Sequence, residues 1–170
     1  MARKYDSVLY DEAALTTTGS PREVIMYQVR VGADAAHPES VTNNPYQGSV
    51  DAAEKMTVHG LSLDWDPDMT LADLQTMLED SFLEIIVKSN RVFHAPLSAL
   101  PQIGAFTGHY TQATAGDEQA VGRSGMVYML RNKIEINGGD RFSLRLGQSQ
   151  NMVAATSIRV LMLVDIEETG

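Results

Sequence analysis

Along most of this chain apolar and polar residues alternate with a period of two, the spacing of a half-buried β-strand, and one segment alone switches to helical spacing. In residues 23–31, Ile25, Tyr27, Val29 and Val31 share one phase while Val24, Met26, Gln28 and Arg30 take the other, which predicts a strand. Residues 55–65 place Met56 and Val58 on one phase and Leu61, Leu63 and Trp65 on the opposite one. Gly60 sits at the switch and predicts a β-bulge. Ile85, Ile86 and Val87 make residues 81–88 a strand candidate, with a second short strand at 91–94 after a Ser89-Asn90 turn. Further strands are expected at 125–130 and 133–136. Asn137-Gly138-Gly139-Asp140 then reads as a hairpin turn into 141–146, where Phe142, Leu144 and Leu146 alternate with Arg141, Ser143 and Arg145. In residues 156–168, Ile158, Val160, Met162, Val164 and Ile166 share one face and Leu161 and Leu163 lie on the other. A run that is apolar on both faces predicts a strand inside a sheet.

The helical exception is residues 70–80. Leu71, Leu74, Met77 and Leu78 form a stripe, Thr70 is an N-cap candidate and Asp73 falls at the third helical position. Residues 32–51 and 95–124 are dense in Pro, Gly and Asn and read as long loops. Near the start, a short strand is expected at 5–10, followed by a polar stretch at 15–21. Residues 1–20 therefore read as an N-terminal arm ahead of a single domain at 21–170. About eight strands, one short helix near 70–80 and long loops define the expected fold as all-β, an eight-stranded jelly-roll β-sandwich.

Composition narrows the chemistry. With no cysteine, the chain has neither disulfides nor thiolate ligands nor a cysteine nucleophile. The 22 acidic against 13 basic residues give a formal charge of -9, which repels a phosphate backbone and argues against nucleic acid as a partner. No apolar run has the length of a membrane span or follows the start as a secretion signal would require.

The candidate chemical motifs are weak. His37, His59, His94 and His109 have no metal-ligand spacing. Asp64-Trp65-Asp66-Pro67-Asp68 opens like a calcium loop, but Met69 and Gln75 stand where that loop needs Gly and Glu. These acids instead suit the positive end of the helix that begins near Thr70. Gly122-Arg123-Ser124-Gly125 is one residue short of a nucleophile elbow, and Gly138-Gly139 precedes no helix. Glu84 and Glu135 read as wet positions of strands. The expectation is a chain with no catalytic residue, no metal and no cofactor.

Several segments taken together resemble the small single jelly-roll major capsid proteins of tailless icosahedral viruses with an internal membrane, such as phages of hot-spring bacteria and related haloarchaeal viruses. They are residues 82–87, Ala95-Pro96-Leu97 through Leu100-Pro101, residues 128–136, Gly139-Asp140-Arg141-Phe142-Ser143-Leu144 and residues 158–166. The likeness covers roughly residues 70–168. It implies a structural virion protein assembled in the host cytoplasm, an upright jelly roll that forms capsomers with copies of itself or with a larger capsid protein, above a viral membrane. Contacts are then expected from the arm, where Ser7, Val8, Leu9 and Tyr10 would add a strand to a neighbour's sheet edge. The loops would add Asn44, Pro45 and Tyr46, and Pro96, Phe106 and Tyr110. The alternatives are a carbohydrate- or protein-binding β-sandwich module and a cupin-like metalloenzyme.

Overall fold

The computed structural model of the chain describes residues 3–66, 68–100, 111–112, 118–119 and 127–168. Its elements are β1 (Lys4–Leu15), β2 (Arg22–Met26), β3 (Glu54–Trp65), α1 (Leu71–Asp80), β4 (Phe82–Val87), β5 (Asn90–Pro96), β6 (Thr111–Gln112), β7 (Glu118–Gln119), β8 (Tyr128–Asn137), β9 (Phe142–Gln148) and β10 (Thr156–Glu168). The eight longer strands form two antiparallel four-stranded sheets, ordered β1-β10-β3-β8 and β2-β9-β4-β5, while β6 and β7 pair only with each other. Every connection between consecutive long strands passes from one sheet to the other, except the β4–β5 hairpin. This is the jelly-roll topology, and the expected all-β sandwich is the fold observed.

The alternation read from the sequence becomes the two inner faces. Met56, Val58, Leu61 and Leu63 of β3 and Ile158, Val160, Met162, Val164 and Ile166 of β10 are buried on one side. Leu83 and Ile85 of β4 and Phe142, Leu144 and Leu146 of β9 are buried on the other. The strand β10 runs between β1 and β3, with twelve register pairs to β1, and is the spine of the first sheet. The predicted bulge is present, because the register shifts between Val58 and Gly60 against β8. It moves the inward phase from Met56 and Val58 to Leu61 and Leu63. In α1, Thr70 accepts from the Asp73 amide at 3.1 Å, as the capping pattern required. The Asp73 carboxylate also accepts from the amide of Val153 at 2.5 Å, tying the β9–β10 loop to the helix.

Four expectations need correction. Residues 1–20 are not a detached arm: β1 occupies Lys4–Leu15 as an integral strand, with Leu9, Ala13 and Leu15 in the core. The strand expected at 5–10 runs on to Leu15, and the apolar pattern of its inward row Leu9, Asp11, Ala13 and Leu15 is broken because one inward position is an acid. The strand expected at 23–31 stops at Met26, since Tyr27 turns left-handed at φ 62°, and Ile25 faces solvent. The turn after Val87 is Lys88-Ser89, both at positive φ (52° and 70°), one residue earlier than expected.

The fourth correction concerns topology. Residues 137–140 do turn sharply, but β8 and β9 belong to different sheets, so the turn is a corner of the sandwich and not a hairpin. A Cβ on Gly138 would come within 2.4 Å of the Ala52 carbonyl oxygen, and this close approach of the chain to β3's lead-in demands glycine.

Asp11 is the exceptional inward acid. Its Oδ2 accepts the Tyr27 amide at 2.5 Å, and the fully buried Tyr27 hydroxyl reaches the carbonyl oxygens of Val160 at 2.8 Å and Leu9 at 3.1 Å. Burial raises the Asp11 carboxyl above its ordinary value of 3.8, against the lowering effect of the hydrogen bonds from Tyr27 and Thr42.

Two outcomes follow from this packing. Val160→Asp places an unpaired charge at a fully buried spine position and is expected to cost about 3–5 kcal/mol, read by urea unfolding. A midpoint close to the parent's would remove β10 from the centre of the fold. Because the folded state favours protonated Asp11, stability from this group falls as pH rises from about 3.8 through the raised value. Asp11→Asn keeps an acceptor without the charge, so it should melt at or above the parent at pH 7 and lack this part of the fall. Asp11→Ala should lose about 1–3 kcal/mol by orphaning the Tyr27 amide. Thermal melts from pH 3 to 7 check both, and an Asn variant several degrees less stable at pH 7 would contradict the assignment.

Candidate interaction surfaces

Among the described residues, aliphatic, methionine and a few aromatic side chains fill most of the space between the sheets. The histidines lie apart. His37 Nδ1 is 2.6 Å from Asp34 on the β2–β3 loop, His59 Nε2 is 2.7 Å from Asp165 at the bulge, and His94 Nδ1 is 3.0 Å from Glu84 on β4. Among the described residues no three His, Asp or Glu side chains converge as a metal set. Asp66 accepts from the Asp68 amide at 2.9 Å, a local turn in the residues that lead into α1. Residues 122–125 and His109 lie outside the described residues.

The expected contact residues divide by their surroundings. Ser7, Val8 and Tyr10 lie on the outer strand of the first sheet, while Leu9 is buried beneath them. The edge at Val8 and Tyr10 is already occupied by the chain's own loop. Asn43 Oδ1 accepts the Tyr10 amide at 2.6 Å, its amide donates to the Tyr10 carbonyl at 3.2 Å and its Nδ2 donates to the Val8 carbonyl at 2.7 Å. Strand addition by 8–10 is thereby replaced with internal pairing, which also hides an edge that invites aggregation.

Asn44 and Tyr46 are buried. Asn44 Nδ2 donates to the carbonyls of Tyr46 at 2.8 Å and Val29 at 3.1 Å, and the Tyr46 hydroxyl donates to Glu54 at 2.8 Å. They order the long loop from within, whereas Pro45 between them is exposed. Pro96 is exposed at the end of β5. Phe106 and Tyr110 lie outside the described residues.

The solvent side of the first sheet holds what sequence reasoning missed. Val8 pairs with Leu163, Leu163 with Gly60 and Gly60 with Met129, so one register row crosses all four strands. Its ends are open, with Val8 45% and Met129 59% exposed. A Cβ on Gly60 would meet Val127 Cγ1 at 2.6 Å, so glycine lets Val127 lie over the row and widen it. Ion pairs flank this band: Lys4 with Asp165 at 3.1 Å and Lys55 with Glu135 at 2.9 Å on one side, Arg159 with Glu12 at 3.0 Å on the other. The same face carries Asp6, Asp64 and Glu167 by strand phase, and Arg131 and Lys133 of β8 in the phase of Glu135, so acidic and basic groups are nearly balanced across it.

The solvent side of the second sheet is rich in arginine. A shallow groove of about 600 Å³ is lined by Arg91, Arg141, Arg145, Glu84, Ile86 and Ser143, among others. Arg91 pairs with Glu84 at 3.0 Å and Arg145 with Glu23 at 3.3 Å, and Arg141 remains as surplus positive charge. Ile25 on the same side is 54% exposed. The Arg91 guanidinium holds the Glu84 carboxyl below its usual range; burial opposes this and His94 assists it.

No protein-family model matches the chain, and no curated protein matches it. Among solved structures the chain is similar to a chain of the cyanophage Pam1 capsid asymmetric unit, with 14% identity and a TM-score of 0.27, over 97% of this chain and 86% of that one. The jelly-roll assignment rests on the strand order alone.

The Glu84 pair has a definite pH signature. Its carboxyl is lowered from 4.5, so its stabilisation is present above that value and is lost as pH falls through the lower, folded-state value. Glu84→Gln is therefore expected to melt below the parent at pH 7, with the gap closing under acid conditions. A gap that stays constant from pH 7 to 3 would show that the loss is one of packing and not of charge.

Proposed function

We propose that this chain is a structural virion protein, a single jelly-roll capsid subunit that self-associates, and that pairs with a second, larger capsid protein where the shell contains one. The observation that carries the reading is the apolar row Val8, Leu163, Gly60 and Met129, which crosses the outer face of the first sheet and is exposed at both ends among the described residues. A jelly roll whose interior is filled acts through its surfaces, and an apolar band with a charged rim is the anatomy of a protein contact. Individually weak contacts suffice in a shell, where many copies engage together.

The resemblance to capsid proteins of internal-membrane viruses agrees with this reading and supplies its location, the virion shell. It also supplies the lipid layer beneath as a further neighbour. The role needs no catalytic residue and no cofactor. Trp65, the natural stacking platform for a sugar ring, instead packs against the core, so the binding-module reading loses its anchor.

Sedimentation decides the matter. The purified protein is expected to be at least dimeric at micromolar concentration. Val8→Lys with Met129→Lys should shift it toward monomer while the melting temperature stays close to the parent's, because both side chains are substantially exposed. A parent that stays monomeric at high concentration, alone and with every co-purifying protein, would overturn the proposal.

A further inference from the structure

The backbone groups of alternate residues in β1 point away from β10, and along that outer edge the chain satisfies several of them itself. Asn43 serves three: its Oδ1 accepts the Tyr10 amide at 2.6 Å, its Nδ2 donates to the Val8 carbonyl at 2.7 Å and its own amide donates to the Tyr10 carbonyl at 3.2 Å. A side-chain amide in this place supplies the donor and the acceptor that a paired strand would offer. Thr42 Oγ1 also donates to the Tyr10 carbonyl, at 3.1 Å. Further along, Asp11 Oδ1 accepts the Glu12 amide at 3.2 Å and the Arg22 guanidinium donates to the Ala14 carbonyl. Two more bonds hold residues 39–43 down. The Tyr10 hydroxyl donates to the Glu39 carbonyl at 2.5 Å, and Arg159, which lies over the Tyr10 ring, donates to the Ser40 carbonyl at 2.7 Å.

The edge beneath this strap is complementary to itself. Set antiparallel to a second β1 about Val8, the strand places Val8 opposite Val8 and Lys4 opposite Glu12, once on each side of the centre. Asp6, whose carboxyl is hydrogen-bonded to Asp165, then stands opposite Tyr10 and meets no like charge. Slid two residues one way, the pairing sets Asp6 against Glu12; slid two the other way, Lys4 faces Tyr10 and the opposite charges no longer meet. Charge therefore selects one register.

We propose that residues 39–43 are an autoinhibitory strap, latched by Asn43, that keeps β1 from pairing with the β1 of a second copy. With the strap lifted, the first sheets of two copies join edge to edge across a two-fold axis at Val8, a contact that closes on a pair. It is separate from the sheet-face contact proposed above and does not depend on it. The strap leaves association of the intact protein to its other surfaces and keeps a long strand edge from uncontrolled pairing.

Loosening the latch tests this. In Asn43→Gly, and in Asn43→Gly with Thr42→Ala, the Tyr10 amide is expected to exchange with deuterium at least about tenfold faster than in the parent. Both variants should associate at about tenfold lower protein concentration, read by sedimentation. Val8→Pro locates the contact, because the Val8 N–H points out of the sheet edge and proline is tolerated there, yet it removes both central hydrogen bonds of the proposed pair. Added to Asn43→Gly, it should return association to the parent's level with the melting temperature near that of Asn43→Gly. A variant whose Tyr10 amide exchanges faster but which associates no more readily than the parent would overturn the proposal. So would a Tyr10 amide that stays protected, or association that Val8→Pro leaves untouched. The parent's own oligomeric state tests the sheet-face reading and not this one.

Discussion

The Asp11 carboxylate takes the backbone N–H of Tyr27 at the point where the chain leaves β2, and the two sheets depend on this junction. Tyr27 stands at φ 62°, an unfavourable conformation for a tyrosine, and it is held there from both ends. Its amide is bound to β1 through Asp11, while its hydroxyl reaches carbonyl oxygens of β1 and β10. One residue thus anchors the end of the second sheet to the outer strand and the spine of the first. The junction costs the burial of an ionisable acid, which is why the Asp11 carboxyl is raised. A buried acid with several donors around it is tolerable, whereas an unsatisfied amide in the same place would leave Tyr27 without a reason to turn.

That turn sets the shape of everything that follows it. By ending β2 after five residues, Tyr27 releases the chain into the long β2–β3 loop. The loop folds back over β1 through Thr42 and Asn43 and is ordered internally by Asn44 and Tyr46. The first sheet consequently has one edge partly capped by the chain's own loop. Apolar side chains fill most of the space between the sheets among the described residues. An acidic protein that places three arginines along one groove has a local charge opposite to its whole. Local charge, more than net charge, governs which surfaces can meet.

Much of this was legible in the residues. Period-two alternation gave β3, β4, β9 and β10 nearly in full, Gly60 marked the bulge, and Thr70 with Asp73 marked the helix start, because each of these signals is local. β1 was shortened because Asp11 sits at an inward position that a hydrophobic pattern would fill. β2 was lengthened because Tyr27 and Val29 keep the alternation after the backbone has turned. The outer-face band was invisible for a different reason. Val8, Leu163, Gly60 and Met129 are scattered over more than 150 positions of sequence, and only the register of three strand pairs brings them into one row.

The sequence by itself determined the class of fold, since alternation, breakers and one short amphipathic helix depend only on neighbours along the chain. It also determined that cysteine chemistry is absent and that the chain as a whole is acidic. The tertiary structure alone decided which strands share a sheet. Asn137-Gly138-Gly139-Asp140 specifies a reversal of direction but not whether the next strand pairs beside the last or crosses to the opposite layer. It likewise decided that Asn44 and Tyr46 serve the interior, because burial is a property of packing between segments distant in sequence.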